Sequence, residues 1–364
     1  MNKTIIICGL PHNSPKIARH YKVLGISLGV NPIIYSRDVT KHSSKVADEY
    51  KVSWEEVPKG CFRDVQNFFF LLAKHKPSHV ELYFDTQSDL VLYGYLLLLR
   101  AFKIPLITIC RGSELLLWDN HSIRRKAMIR SGLMASKLIL YKELYMPEQL
   151  RKLRISSRKI HFFHNRVPIK QEKPILPLEA VGVLYLNSWR TYRRPDIAVE
   201  VGLRLAGHFP NVIFTVGGER YWCSEKFSRA EFESQIKDAG VERQVIISKW
   251  VLNPDELLTS NNIFLLPAGQ VFVNYTLIEA MERGLVPVIA RVKGAEKIVE
   301  HGENGLIVDL SAAAFTEAVE YLLSNPTILQ QMSVRARKKV INSFNLQRGL
   351  QDLVKTYKSM LPKT

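Results

Sequence analysis

The stretch "NYTLIEAMERGLVPVIA", residues 274–290, decides how the rest of the chain is read. Leu277, Ile278, Ala280 and Met281 give a short helix an apolar surface. Gly284 stands where a helix takes its C′ stop, and Pro287 sits in the β-branched run "VPVIA". A helix that passes through glycine straight into a buried strand is a piece of alternating α/β architecture. One residue on it asks for a reason: Glu279. It stands at capping-box spacing from Thr276 and can be read as closing its own helix.

Working outward, strand-like runs alternate with helical ones along the chain, which predicts parallel sheets. The first half offers "TIIICG" (4–9), "NPIIYS" (31–36), "HVELYF" (79–84), "PLITIC" (105–110), "KLILY" (137–141) and "KIHFF" (159–163). Helical stretches lie between most of them. One is "SPKIARHYKVLGISLG", with Ser14 as N-cap and Pro15 at the first helical position. Residues 166–180 carry three prolines and no periodicity, and read as a linker. The alternation then restarts with "VGVLYLN" (181–187), "VIFTVGG" (212–218), "QVIISKW" (244–250), "IFLLP" (263–267), "VPVIA" (286–290) and "GLIVDL" (305–310). Two consecutive doubly wound domains, 1–165 and 181–343, are expected. A terminal amphipathic helix, 344–364, is expected to return to the first of them.

The bulk numbers agree with this frame. A chain of 364 residues, 46% hydrophobic and 23% charged, has the composition of a soluble globular protein with room for two cores. Its longest apolar block, "LVLYGYLLLL" (90–99), is too short to span a bilayer. The N-terminus reads as a first buried strand rather than a signal peptide, and four scattered cysteines fit a reducing compartment, so a cytoplasmic location is expected. The net charge of +17 calls for a polyanionic neighbour. Residues 121–160 hold eleven Lys or Arg against two Glu, with Ile, Met and Leu interleaved. That pattern fits either a solvated basic face or attachment to an anionic membrane surface, on the inner face of the cell membrane. Nucleic acid is disfavoured, because none of its usual binding motifs is present.

Ligands of such folds bind beyond the C-terminal ends of the strands. Four loops there are polar. "CGLPHNSP" (8–15) holds His12 and Asn13 but no dinucleotide fingerprint. In "CRGSEL" (110–115), Arg111 and Glu114 bracket Gly112 and Ser113. "NSWRTYRRPD" (187–196) holds Arg190, Arg193 and Arg194, and "PAGQVFVNYTLIEAM" (267–281) feeds the helix that bears Glu279. The last two suit a nucleoside diphosphate. A helix N-terminus attracts phosphate, a guanidinium grips it bidentately, and a carboxylate one turn on can accept hydrogen bonds from ribose hydroxyls. Arginines after strands are also commonly just solvated or salt-bridged.

The second half resembles the family 4 glycosyltransferases. The resemblance rests on "LYLNSWRTYRRPDIAVEVGLRLAGHFPNVIFTVGGE", "VIISKWVLNPDELLTSNNIFLLPA" and "LIEAMERGLVPVIARVKGAEKIVEHGENGLIV", in the family's order and spacing from about residue 181 to 310. "SKLILYKELYMPEQLRKLRISSRKIHFFHNRVP" is more loosely similar to the close of the family's first domain. The resemblance implies the GT-B fold, in which two Rossmann-like domains face a central cleft. It implies a ribose contact for Glu279, a diphosphate contact for Arg193, and phosphate-facing amides at Asn274, Tyr275 and Thr276. Arg111 and Gly112 fall where the family has His-Gly beside the transferred sugar. Three positions depart from the pattern. Val271 stands where the family's E-x7-E motif has its first glutamate, Arg111 replaces a histidine, and Ser188 replaces a phosphate-binding arginine whose place Arg190 can reach.

The function so implied is transfer of a sugar from a nucleotide-diphosphate donor to a glycan or lipid-linked acceptor, in cell-surface polysaccharide or lipopolysaccharide synthesis. Retention of configuration follows from the resemblance alone. No cofactor and no metal are expected, since the helix start, Arg193 and Arg190 would stabilise the leaving diphosphate. Arg111 and Glu114 are the catalytic candidates, and His12, Asn13, Gly112 and Ser113 form the acceptor-side loops. Val271 and Arg111 keep a second reading open: a non-catalytic fold member that binds a nucleotide sugar or a partner enzyme. An epimerase fits the "EAMERGLVPV" spacing less well.

Overall fold

A computed structural model describes residues 3–10, 12–38, 41–84, 88–110, 115, 118–143, 146–163, 165–170, 181–218, 226–248, 254–270 and 273–360. The chain divides into two compact units, Met1–His164 with Gln347–Thr364, and Asn165–Leu346.

In the first unit, β1 (Lys3–Leu10), α1 (Pro15–Leu28), β2 (Val30–Ser36), α2 (His42–Tyr50), β3 (Ser53–Glu56), α3 (Cys61–His75), β4 (His79–Tyr83), α4 (Asp89–Ala101), β5 (Leu106–Cys110), α5 (Ile123–Ala135), β6 (Leu138–Tyr141), α6 (Met146–Lys152) and β7 (Ile160–Phe162) follow one another. The strands form one parallel sheet in the order β3-β2-β1-β4-β5-β6-β7. Ile5, Ile6 and Ile7 are all fully buried, as expected of a central parallel strand covered on both faces. Ser14 caps α1 by accepting the Ile17 N–H, with Pro15 behind it. The short strand β3, "SWEE", has no counterpart in the sequence expectation. It is a polar, half-exposed edge strand, so it carries little of the apolar signal that marks the others.

The second unit contains β8 (Gly182–Leu186), α7 (Pro195–Leu205), β9 (Ile213–Gly217), α8 (Arg229–Asp238), β10 (Val245–Ile247), α9 (Asp255–Thr259), β11 (Ile263–Leu266), α10 (Tyr275–Glu282), β12 (Val286–Ala290), β13 (Leu306–Val308), α11 (Ala312–Ser324) and α12 (Pro326–Ser343). Its parallel sheet runs β10-β9-β8-β11-β12-β13. Both sheets thus follow the doubly wound order, which reverses between β1 and β4 and again between β8 and β11. Period-two alternation splits β8 between two cores. Val183 and Tyr185 face α7 and α11 residues such as Ile197 and Phe315, while Leu184 and Leu186 face Leu277, Met281 and Val340 of α10 and α12.

Of the proline-bearing stretch 166–180, residues 171–180 lie outside the described residues. The part before them is tied into the second unit: Val167 exchanges backbone hydrogen bonds with Phe344 and Leu346, and the Lys170 N–H donates to Glu282 at 3.0 Å. The last helix, α13 (Leu346–Met360), buries Leu350, Leu353 and Tyr357. Tyr357 donates to the buried carboxylate of Glu81 on β4 at 2.7 Å, and Tyr21 of α1 donates to the same group at 2.6 Å.

Candidate nucleotide-binding site

The switch point of the second sheet is where β8 and β11 release their chains into loops. Those loops are stitched together. The Gly269 N–H, after β11, donates to the Tyr192 carbonyl after β8 at 2.8 Å. The Asn274 amide donates to the Asn187 side-chain oxygen at 3.2 Å. Trp189, fully buried, roots the β8 loop in the core and donates its indole N–H to the Gly217 carbonyl. Gly218 makes room beside it. Its φ is +107°, and a Cβ there would lie 1.9 Å from the Asn187 carbonyl oxygen, so only glycine lets the chain leave β9 at this place.

Within the β8 loop the three arginines have different fates. Arg194 forms a bidentate pair with Asp196, Nε to Oδ1 at 3.0 Å and Nη2 to Oδ2 at 2.7 Å, and is neutralised in its own turn. Arg190 is exposed and reaches the Tyr192 hydroxyl at 3.4 Å. Arg193 is half-buried, its backbone carbonyl held by the Tyr185 hydroxyl and its guanidinium 5.0 Å from the Tyr192 ring centre. Its Nε and Nη1 are buried without a hydrogen-bond partner. Buried donors on a charged group are costly to leave unmade, so this geometry is one that an anion completes. The local field is positive. Burial raises the Tyr192 phenol pKa, but the charges of Arg193 and Arg190 outweigh that and hold it below the usual 10.

Beside this lies the start of α10. Asn274 is its N-cap, accepting the Leu277 N–H at 3.2 Å. Tyr275 and Thr276 occupy the first two helical positions, whose amides have no acceptor within the helix itself. This corrects the capping-box reading of Thr276 and Glu279. The cap lies two residues earlier, its third helical position is Leu277, and half-buried Glu279 sits further in, where it cannot close the box. The neighbouring acid of the same motif is structural. Glu282 is buried, accepts the Lys170 N–H, and lies 3.5 Å from Arg337. Burial lifts its carboxyl above the usual range against the pull of those partners.

In the first unit, the loop after β1 keeps His12 exposed, while Asn13 is fully buried. Asn13 accepts nothing at Oδ1, but its backbone N–H donates to Ser43 at 2.9 Å, which pins the loop to α2. Arg111, Gly112, Ser113 and Glu114 lie outside the described residues, as does Val271. The sequence reading passed over Asn187, whose Nδ2 is buried and unpartnered at the switch point. Its position directly after a strand was the available signal. Among the described residues, no cluster of three or more His, Cys, Asp or Glu could hold a metal ion, and no helix is long and apolar enough to cross a membrane.

Comparison with known proteins bears on this site. Residues 168–339 match the family model described as "Glycosyl transferases group 1". N-acetyl-alpha-D-glucosaminyl L-malate synthase of Bacillus anthracis is 20% identical over 207 residues, 56% of this chain and 52% of that protein. The UDP-Gal:alpha-D-GlcNAc-diphosphoundecaprenol alpha-1,3-galactosyltransferase of Escherichia coli is 20% identical over 153 residues, 42% of this chain and 38% of its own. The chain thus spans about half, or less, of the length of these curated relatives. Among solved structures, Anabaena Alr3699/HepE in complex with UDP superposes with a TM-score of 0.79 at 12% identity, covering 99% of this chain and 100% of that one. Residues 168–339, which contain the whole switch-point site, thus match the group 1 glycosyl transferases, and the two doubly wound sheets follow the fold of the superposed structure.

Proposed function

We propose that the protein transfers a sugar from a nucleoside-diphosphate donor to a glycan or lipid-linked acceptor, in cell-surface polysaccharide or lipopolysaccharide synthesis and at an anionic membrane surface. The observation that carries this reading is the Arg193 guanidinium, with two buried, unpartnered N–H groups beside the start of α10. Bond cleavage at the anomeric carbon leaves negative charge on the diphosphate. The Tyr275 and Thr276 amides, Arg193 and Arg190 would stabilise that charge, and Glu279 would take the ribose hydroxyls. No step in this scheme needs a metal, and retention of configuration is the outcome the family resemblance implies. The UDP-bound neighbour and the undecaprenol-linked acceptor in a relative's name support a nucleotide donor and a lipid-linked acceptor.

A second reading, binding without transfer, is favoured by Val271 and Arg111, which remove the family's sugar-contacting glutamate and its histidine. A thermal-shift panel of UDP, GDP, ADP and dTDP, followed by incubation with the matching sugar nucleotides, separates the two. Release of the nucleoside diphosphate supports transfer. A shift without release across donors and acceptors supports the binder, and no shift with any nucleotide removes both.

A further inference from the structure

The first unit has a concavity on the β5-β6-β7 side of its sheet. It lies between α4 and α5, against the residues that lead into β5 (Ile104–Leu106), β6 (Ser136, Lys137) and β7 (Lys159), and its volume is about 1040 Å³. These are strand starts, so the groove stands at the opposite end of the strands from the loops where ligands of this architecture bind. Its floor is apolar, with Leu96, Leu99, Ile104 and Met128. Its rim carries Arg100, Lys103, Arg124, Lys137 and Lys159 and no acidic residue. Among the described residues none of these five pairs with a carboxylate, whereas neighbouring cations are engaged: Arg125 with Asp89 at 2.8 Å and Lys152 with Glu148 at 3.0 Å. Tyr93 and Leu97 of α4, 50% and 49% exposed, form the outer wall of the groove, and the apolar stripe continues beyond it to Leu90, 56% exposed. Ile123, 87% exposed, opens α5 beside it.

We propose that this groove is a phospholipid seat: it takes the acyl chain of an anionic phospholipid while the five cations hold headgroups of the surrounding bilayer surface. An apolar slot with an all-cationic rim is complementary to an anionic amphiphile. Exposed Leu and Tyr on the adjoining stripe are what a peripheral protein inserts at the headgroup boundary. A second copy of this chain seated isologously would set the five cations against the same five, which like-charge repulsion opposes. The proposal rests on the membrane part of the functional reading and not on its nucleotide site.

Flotation of the full chain with phosphatidylglycerol–phosphatidylcholine vesicles, against pure phosphatidylcholine, tests it. Wild type is expected to float with the anionic vesicles only. Each rim charge removed should lower partitioning about fivefold, so Arg124→Ser/Lys137→Ser should lose about 25-fold. Arg151→Ser/Arg158→Ser, an equal charge change outside the groove, should lose less than fivefold. Tyr93→Ser/Leu97→Ser, which alters no charge, should lose at least fivefold. The inference is overturned by absence of flotation, by equal losses for the two charge pairs, or by an unaffected Tyr93→Ser/Leu97→Ser protein. It is equally overturned by a concentration-dependent dimer that Leu97→Ser abolishes. The first unit's melting transition, measured on each protein, checks folding, and a UDP thermal shift keeps the two readings apart. Lost flotation with the first unit's transition intact tests the seat, and a missing UDP shift in wild type counts against the nucleotide site alone.

Discussion

Replacing Arg193 by methionine should weaken nucleotide binding and stabilise the empty protein at once, a pair of effects that a structural arginine would not give. A hydrogen bond from a charged donor contributes about 1.5–3 kcal/mol, and two from one guanidinium are not fully additive, so about 3 kcal/mol of diphosphate affinity should go, about 150-fold in Kd. In the empty protein, Nε and Nη1 are buried without partners. Each such group costs about 1–3 kcal/mol, and the half-exposed side chain argues for the low end, so methionine should raise stability by about 1 kcal/mol and Tm by about 2–4 °C. Arg193→Lys keeps the charge and loses the fork, and should fall between the two. Calorimetric titration with UDP, paired with thermal melts of the same proteins, reads both quantities. A Kd within threefold of wild type, or a fall in Tm with binding intact, would refute the assignment of this side chain to an anion.

Other outcomes follow from the same geometry. Asn274→Ala removes the α10 cap and the link to Asn187, and should cost about 1–2 kcal/mol in a thermal melt; Asn274→Ser should recover most of the stability but not the link. Gly218→Ala must meet the Asn187 carbonyl from a left-handed backbone and should destabilise by more than about 1 kcal/mol, with loss of the UDP shift. Tyr357→Phe takes one donor from buried Glu81 and should lower the first unit's melting transition by about 1–3 kcal/mol, leaving the UDP-shifted transition in place. Burial alone would raise the Glu81 pKa, but His79, Tyr21 and Tyr357 overcome it and hold it below the ordinary 4.5. The contribution of Glu81 is therefore present above that value and lost as pH falls through the lower folded-state pKa. The stability gap between wild type and Glu81→Gln should accordingly shrink as pH falls below the ordinary 4.5; a gap that widens on acidification would contradict the sign.

Much of the fold was legible because its central strands are buried on both faces. "TIIICG" and "IFLLP" announce themselves as unbroken apolar runs. β3 escaped because an edge strand of four residues, half in water, needs no such run. The order of strands was not readable from periodicity, which sees each strand and not its neighbours. At the site, "NYTLIE" offers two good caps, and because Thr276 has Glu279 three residues on while Asn274 has apolar Leu277, spacing points to the wrong one. The choice is made where the backbone turns, with Asn274 extended at φ −74°, ψ 129°. In the same way Arg190, Arg193 and Arg194 are equivalent as letters. Asp196 claims one, solvent another, and only the buried position of Arg193 singles it out.

The tie between Glu81 and Tyr357 has a temporal side. These residues are 276 positions apart, so at ribosomal rates of ~5–20 residues per second the partner of that carboxylate emerges roughly 15–55 s after it. Until then, the first-made part of the polypeptide must wait with an open seam, while Asn165–Leu346, contiguous in the gene product, can assemble and finish. Truncations shorn of the final helix should therefore burden chaperones through their beginning rather than their middle. A recombinant fragment for crystallography is better cut around the inserted unit than before it.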